Sequence, residues 1–310
     1  MTPEQYDPVK ADSWLVCDTC GTQFPTADRS ALKTCHICDD PRQFVPPSGQ
    51  SFSTLGDLKK HFKNEWIECP SDPNITFIHS VPKLAIGQRA ILIQTPKGNI
   101  LWDCITLLDE ETVLKIKEKG GLRAIVISHP HFYSTHVQWA RAFACPVYIA
   151  AEDQSWTTFE SEHQVALTES STPILDTGAT AIKLGGHFPG SMVLHYNSRL
   201  FIADTLLTTA SGVGNWDVDA TGAKREARPP GLNSFSFLWS IPNFIPLGVD
   251  EMVRMWRALK GVEFTATHGG FMEMDIEHED VKGSVLESMK IQARSIRQGD
   301  DFENMIGEQV

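Results

Sequence analysis

The apolar positions of the chain change period along its length, and those changes divide it into elements. Leu55, Leu58, Phe62 and Trp66 recur at helical spacing behind Ser53 and Thr54 as caps, which predicts a helix over 53–66. From Ile75 the texture turns to short β-type runs at 75–79, 89–94 and 99–103, with Pro96-Lys97-Gly98-Asn99 as a hairpin turn between the last two. Residues 109–119 read as an amphipathic helix closed by Gly120-Gly121. The β-branched run Ala124-Ile125-Val126-Ile127 reads as a buried strand. A helix at 137–143, a strand at 146–150, short strands at 181–184, 192–196 and 199–203, and a helix at 249–260 follow. A last helix at 279–297 has acids early and bases late, as its dipole favours. Strands alternating with helices predict an α/β domain of sheets covered by helices. The stretch 208–247 breaks the rhythm, mixing glycine and proline with Trp216, Phe235, Phe237, Trp239 and Phe244. Two readings of it stand level: a lid or pocket wall, and aromatics that close the core under a long loop.

Candidate chemistry collects where predicted strands end. Ile127 runs directly into Ser128-His129-Pro130-His131-Phe132-Tyr133-Ser134-Thr135-His136. Pro130 favours an extended path, on which His129 and His131 leave the same side of the backbone and begin a nitrogen site for a metal ion. Alone, the pair reads equally well as two loop histidines without a role. His187 lies in Gly185-Gly186-His187-Phe188-Pro189-Gly190-Ser191, Asp204 ends the run 200–203, and His268 ends the run 264–267 before a glycine pair. Each sits where loops present functional groups from a rigid scaffold. Asp103 reads either as orienting a ligand histidine or as capping a loop. His195 falls inside a strand and, with His61, His79, His163 and His278, is given no metal role.

Taken in order, these segments resemble the metallo-β-lactamase fold superfamily of metal-dependent hydrolases. Its pattern is His-x-His-x-Asp-His, then Gly-His-x-x-Gly-Ser, a strand-end Asp and a late His, and the likeness spans roughly residues 75–297. The resemblance implies a four-layer αββα sandwich. It also implies that His129, His131 and His187 fill one metal position, that Asp204 supplies the carboxylate bridging two metals, and that His268 belongs to the second. This chain has Tyr133 in place of the family Asp and Ser134 in place of the next His, leaving His136 or Tyr133 as substitutes. One firmly held divalent ion is therefore expected, with a second weak or absent. Zinc, iron and manganese all suit such donors. The His-Pro-His-aromatic-Tyr-Ser variant is similar to a group of fungal and bacterial hydrolases that includes fungal lactamases opening benzoxazolinone-type cyclic carbamates.

A separate signal precedes the α/β region. Cys17-x-x-Cys20 and Cys35-x-x-Cys38 have the spacing of a four-thiolate structural Zn2+ site, with Gly21 suited to the knuckle turn. They predict a zinc-ribbon or rubredoxin-like module with its linker over 1–50 and a hydrolase domain over 51–310. Disulfide or redox pairs are the competing reading, which an intracellular setting disfavours. His36 is a spare donor inside the second knuckle, and Cys69, Cys104 and Cys145 read as small buried hydrophobes. A structural or oligomerising role is favoured for the module.

Composition narrows the partners. A net charge of −12 with no basic stripe argues against nucleic acid. Residues 1–10 are polar and acidic, unlike a targeting segment, and no apolar run approaches a membrane span, so a cytoplasmic protein acting on a small molecule is expected. The leading expectation is a hydrolase that opens a lactam, lactone, ester or cyclic carbamate in a detoxifying role. Asp204 would ligate the ion or carry a proton, and the Tyr133 phenol would donate to the developing oxyanion. The alternatives are a degenerate site retained as a scaffold with the knuckle as its contact surface, and a metallo-nuclease.

Overall fold

The computed structural model describes residues 3–307. Residues 1–2 and 308–310, which the expected ranges 1–50 and 51–310 include, lie outside the described residues.

Seven strands build a first sheet in the order of the chain: β1 (Lys63–Cys69), β2 (Asp72–Val81), β3 (Arg89–Ile93), β4 (Ile100–Trp102), β5 (Ala124–Val126), β6 (Val147–Ala150) and β7 (Gln164–Leu167). The pairs from β1 to β4 are antiparallel, and those from β4 to β7 are parallel. Parallel neighbours need crossovers, and helices α2 (Glu110–Glu118) and α3 (His136–Phe143) provide two of them. A second sheet also follows chain order: β8 (Ser171–Pro173), β9 (Thr180–Lys183), β10 (Met192–Tyr196), β11 (Arg199–Phe201), β12 (Ala266–His268) and β13 (Asp275–Glu277).

The alternation within single strands sorts the core into layers. Ile91 against Leu92, Trp102 against Leu101, Val126 against Ile125 and Leu194 against Val193 point to opposite faces, and all are buried. One set, with Phe77, Met192 and Phe201, fills the space between the two sheets. The other set of the first sheet packs under Ile116 of α2 and Trp139 and Ala140 of α3. On the far side, Val193 and Leu200 meet Met252 and Trp256 of α4 (Val249–Leu259), Met289 of α5 (Val281–Ser295) and Phe302 of α6 (Gly299–Ile306). The result is the expected four-layer αββα sandwich.

Some elements differ from the periodicity. The first helix, α1, covers only Leu55–His61; Thr54 Oγ1 accepts from Asp57 N at 3.2 Å, and the chain turns extended at Phe62. Trp66, expected in that helix, lies in β1 opposite Ile78, because a long antiparallel ladder with β2 overrides local helix preference. Helix α6 and strands β7 and β8 were not evident in the apolar pattern. In 208–247 two short pairs form, Leu207–Thr208 with Phe235–Ser236 and Leu238–Ser240 with Ile245–Pro246. Phe235 and Phe237 close the outer core, whereas Trp239 lines a cleft and Phe244 is exposed, so each reading holds for different residues.

At the N-terminal end, Leu15–Cys17 pairs antiparallel with Phe52–Thr54, a pairing that crosses the expected boundary at residue 50. Leu15, Phe24, Leu32 and Ile37 pack round the four cysteines as a core of their own. No described helix is long and apolar enough to cross a membrane.

Candidate metal centre

Three strand exits and one turn bring the donors together. At the end of β4, Asp103 Oδ1 accepts the Ser128 N–H at 2.7 Å and pins the chain as it leaves β5. His129 continues extended, but the extended path ends there. Pro130–Phe132 is a 3-10 turn rather than the expected extension, so His131 offers Nδ1 to the centre where His129 offers Nε2. His187 enters from the loop between β9 and β10. Asp204 enters three residues beyond β11.

The four side chains converge. Asp204 Oδ2 lies 3.2 Å from His129 Nε2, 3.4 Å from His131 Nδ1 and 3.6 Å from His187 Nε2. His187 Nε2 and His131 Nδ1 are 3.1 Å apart. All four residues are buried, and their donor atoms lie within 4.8 Å of one another. A tetrahedral ion with bonds near 2.05 Å has donor–donor edges of about 3.4 Å, so the cluster has the right dimensions for one cation. Outer contacts orient the rings as such a site requires. His187 Nδ1 donates to the Trp239 carbonyl at 2.8 Å and His129 Nδ1 pairs with Ser128 Oγ at 2.9 Å, leaving both Nε2 lone pairs for the centre. Beyond the cluster, His129 Nε2 and Asp204 Oδ1 have no hydrogen-bond partner despite burial, which an ion and its solvent would remedy.

Charge supports the same reading. Burial alone would raise the Asp204 carboxyl, but the imidazoles of His129, His131 and His187 hold it well below the usual carboxylate range. Burial pushes His131 and His187 below the ordinary histidine value, so both rings are neutral, as ligands must be. Asp103, fully buried, is pushed up to about 7.

The four cysteines form a second centre. Cys17 and Cys38 sulfurs are 3.7 Å apart and Cys20 and Cys35 sulfurs 3.6 Å, far beyond a disulfide bond and close to the edge of about 3.8 Å expected around zinc with 2.3 Å bonds. His36 is not among the donors: its Nε2 faces the Trp156 carbonyl at 3.2 Å and its ring stacks on Trp156.

The cysteine module lies over the edge of the sandwich that carries the histidine centre. Thr106 Oγ1 donates to the Gly21 carbonyl at 3.1 Å, Thr158 Oγ1 to the Gln23 carbonyl at 2.7 Å and Arg42 Nη1 to the His187 carbonyl at 3.3 Å. Gly21 has φ +80°, and an added Cβ would fall 1.9 Å from Thr106 Oγ1, so the docking itself demands glycine.

Three sequence-derived candidates are not brought to the centre. Tyr133 is buried in the core, with its phenol donating to the Asp153 carbonyl at 3.1 Å, so it is not positioned to serve an oxyanion. His136 Nδ1 donates to the Tyr133 carbonyl at 2.9 Å and its Nε2 accepts from Gln164 Nε2 at 2.8 Å, which leaves no lone pair for a metal. His268 ends β12 opposite Phe201, and its ring lies between the sheets beside Phe77 and Phe201. Asp275 Oδ1 binds its Nδ1 at 2.8 Å and Arg199 Nη1 meets its Nε2 at 3.1 Å; the wholly buried Arg89 fixes Asp275 in turn with a bidentate pair. That network occupies both ring nitrogens. Among the described residues the histidine group therefore contains four donors, and the second-metal position implied by the resemblance is not formed. Cys69, Cys104 and Cys145 are buried, as expected.

Sequence reasoning missed Arg42, Asp153 and the Trp239 carbonyl. Asp153 Oδ1 accepts from Gly190 N at 3.2 Å and so holds the His187 loop, and burial pushes its carboxyl up to about 6. Nothing in the local sequence marks these groups, because each acts on a partner far along the chain.

No family model matches the chain. In structure it is similar to TMB-1, with a TM-score of 0.51 and 12% identity, covering 74% of this chain and 98% of that one. The DIM-1 metallo-β-lactamase superposes with a TM-score of 0.50 at 12% identity, with 74% and 98% covered. In sequence it is 36% identical over 268 residues to the Bacillus subtilis (strain 168) protein "Uncharacterized protein YmaE", covering 86% of this chain and 92% of that protein. The chain thus belongs to one family with YmaE of Bacillus subtilis and carries the metallo-β-lactamase fold.

Proposed function

We propose that this protein is a metal-dependent hydrolase acting on a small acyl compound: a lactam, lactone, ester or cyclic carbamate. The observation that carries the reading is the buried group of three imidazoles and one carboxylate, in which Asp204 Oδ1 remains without a partner. Bound there, a divalent cation supplies Lewis acidity and a water that ionises near neutral pH. His129, His131 and His187 turn ring nitrogens towards the centre, and Ser128 and the Trp239 carbonyl orient two of those rings. Asp204 shares Oδ2 with all three imidazoles, while its Oδ1 is free to take a proton and pass it to the leaving group. The two Cys-x-x-Cys pairs and their sulfur separations of 3.6 and 3.7 Å support Zn2+ at the four cysteines as a structural ion. Seven unpaired cysteines support a reducing, cytoplasmic setting, and the net charge of −12 supports a small-molecule rather than a nucleic-acid substrate.

Elemental analysis of the purified protein, paired with hydrolysis of a lactam, lactone, ester and benzoxazolinone panel before and after chelation, tests this. Two metal equivalents per chain, one for each four-donor group, with turnover lost on chelation, is the expected result. One equivalent and no turnover of any member would sink the hydrolase reading.

A further inference from the structure

A protein of net charge −12 carries a cleft of about 840 Å3 lined by Arg42, Lys183 and Arg254 against Glu152 and Glu251. Two of these cations are neutralised within the cleft wall. Lys183 Nζ pairs with Glu152 at 2.7 Å, and Arg254 pairs with Glu251. Arg42 differs, because its partner Asp40 is not part of the lining.

The way Arg42 is held leaves its outer edge available. Its Nε and Nη2 grip Asp40 Oδ1 and Oδ2 at 2.7 and 2.9 Å, and Nη1 donates to the carbonyl of His187 at 3.3 Å. Those bonds engage three of the five guanidinium N–H groups. The remaining two, one on each terminal nitrogen, have no hydrogen-bond partner among the described residues and are left for an incoming acceptor. The guanidinium plane is fixed over Phe188 at 3.8 Å, with Trp156 at 5.1 Å and Trp239 at 5.7 Å. Its side chain is only 12% exposed. A cation so immobilised and so poorly hydrated favours an incoming anion more strongly than a lysine on the surface does.

Location supplies the rest. The residue on which Arg42 rests, His187, is one of the four donors of the metal group, and Gly185, Gly186 and Trp239 continue the same wall into the cleft. We propose that Arg42, presented by the cysteine module, is a specificity residue that receives a carboxylate on the substrate and sets the acyl group beside His187. The substrate class is then a carboxylate-bearing acyl compound. This rests on the hydrolase reading for its acyl part, but the recognition of the anion stands apart from turnover.

The test uses the full-length, metal-loaded protein. The kcat/KM ratio of para-nitrophenyl hydrogen glutarate, which is anionic, to para-nitrophenyl valerate, which is neutral, is compared between wild type and Arg42→Ala. Glutarate binding is followed in parallel through tryptophan fluorescence. Arg42→Ala is expected to lower the ratio at least tenfold and to weaken glutarate binding by a similar factor, with Arg42→Lys between the two. Asp40→Asn, which removes the counter-ion, is expected to tighten glutarate binding. If both esters slow alike and metal is lost from the histidine centre, Arg42 is a structural strap, and an unchanged ratio overturns the proposal. So does Asp40→Asn weakening glutarate as much as Arg42→Ala. If neither ester is turned over by wild type, the hydrolase reading fails. The glutarate titration then decides the matter: tenfold weaker binding in Arg42→Ala supports anion recognition, and equal binding ends it.

Discussion

The two four-donor groups contrast in how they are assembled and in what they leave over. The cysteine centre takes all its ligands from residues 17–38, inside a core of Leu15, Phe24, Leu32 and Ile37. Its sulfurs complete a tetrahedron among themselves, and such closed sites stabilise structure. The histidine centre draws His129, His131, His187 and Asp204 from three distant strand exits, and its carboxylate retains an unpartnered oxygen. A mixed site of this kind keeps room for chemistry, and its precision comes from two sheets rather than from its own loop.

Breaking one centre should therefore leave different damage from breaking the other. The largest effect is expected for His187→Ala. Hydrolysis should fall by at least about 10³-fold, corresponding to several kcal/mol of lost Lewis-acid stabilisation, while metal analysis still finds the cysteine-bound equivalent. Loss of both equivalents would show that the centres are not independent. Next comes Cys35→Ser, which should lower the melting temperature by about 10 °C in calorimetry, since metal binding to a small module is largely its folding free energy.

A third measurement uses a buried histidine outside both centres. Burial leaves the His136 ring at about 4, below the ordinary 6.5, so the folded protein keeps it neutral where the unfolded chain takes up a proton. Stability is then complete above pH 6.5 and falls as the pH drops towards 4, by on the order of 3 kcal/mol at most. Urea midpoints across that window should flatten in His136→Gln relative to wild type. An identical slope in both proteins would assign the acid sensitivity to groups other than His136, such as Asp275 and Asp40.

Smaller still is the effect of Ser128→Ala, which removes the partner of His129 Nδ1 and should weaken metal at the histidine centre about tenfold in a competition titration, with the cysteine centre untouched. The smallest is expected for Tyr133→Phe. Because the phenol is committed to the Asp153 carbonyl, the change should cost about 1 kcal/mol of stability in denaturant titration. A hundredfold loss of turnover would return Tyr133 to the reaction.

The same contrast explains what could be read from the chain. Cys17, Cys20, Cys35 and Cys38 were legible because a knuckle is set by local spacing. His129 and Asp204 stood out because each follows an apolar run that reads as a strand, and His187 because of the glycine-rich turn that holds it. His131 joins the same group, but the 3-10 turn that presents its Nδ1 was not foreseen. His268 follows the same strand-end rule as Asp204, yet its position is decided by Arg89 and Asp275, which local sequence does not link to it. Trp66 kept helical spacing while a ladder with β2 claimed it. Arg42 carries no mark in its own stretch of sequence, because its role depends on Phe188 and the His187 carbonyl, far along the chain.

The lock between Gly21 and Thr106 has a practical consequence for anyone who wants a smaller version of the protein. Trimming at residue 50 would leave Phe52–Thr54 without its strand neighbour and uncover Trp156 and Phe188, the apolar ground on which Arg42 lies. Solvent would flood the approach to His187. A miniature of this protein has to keep its N-terminal cap, or replace it with another cover of equal shape.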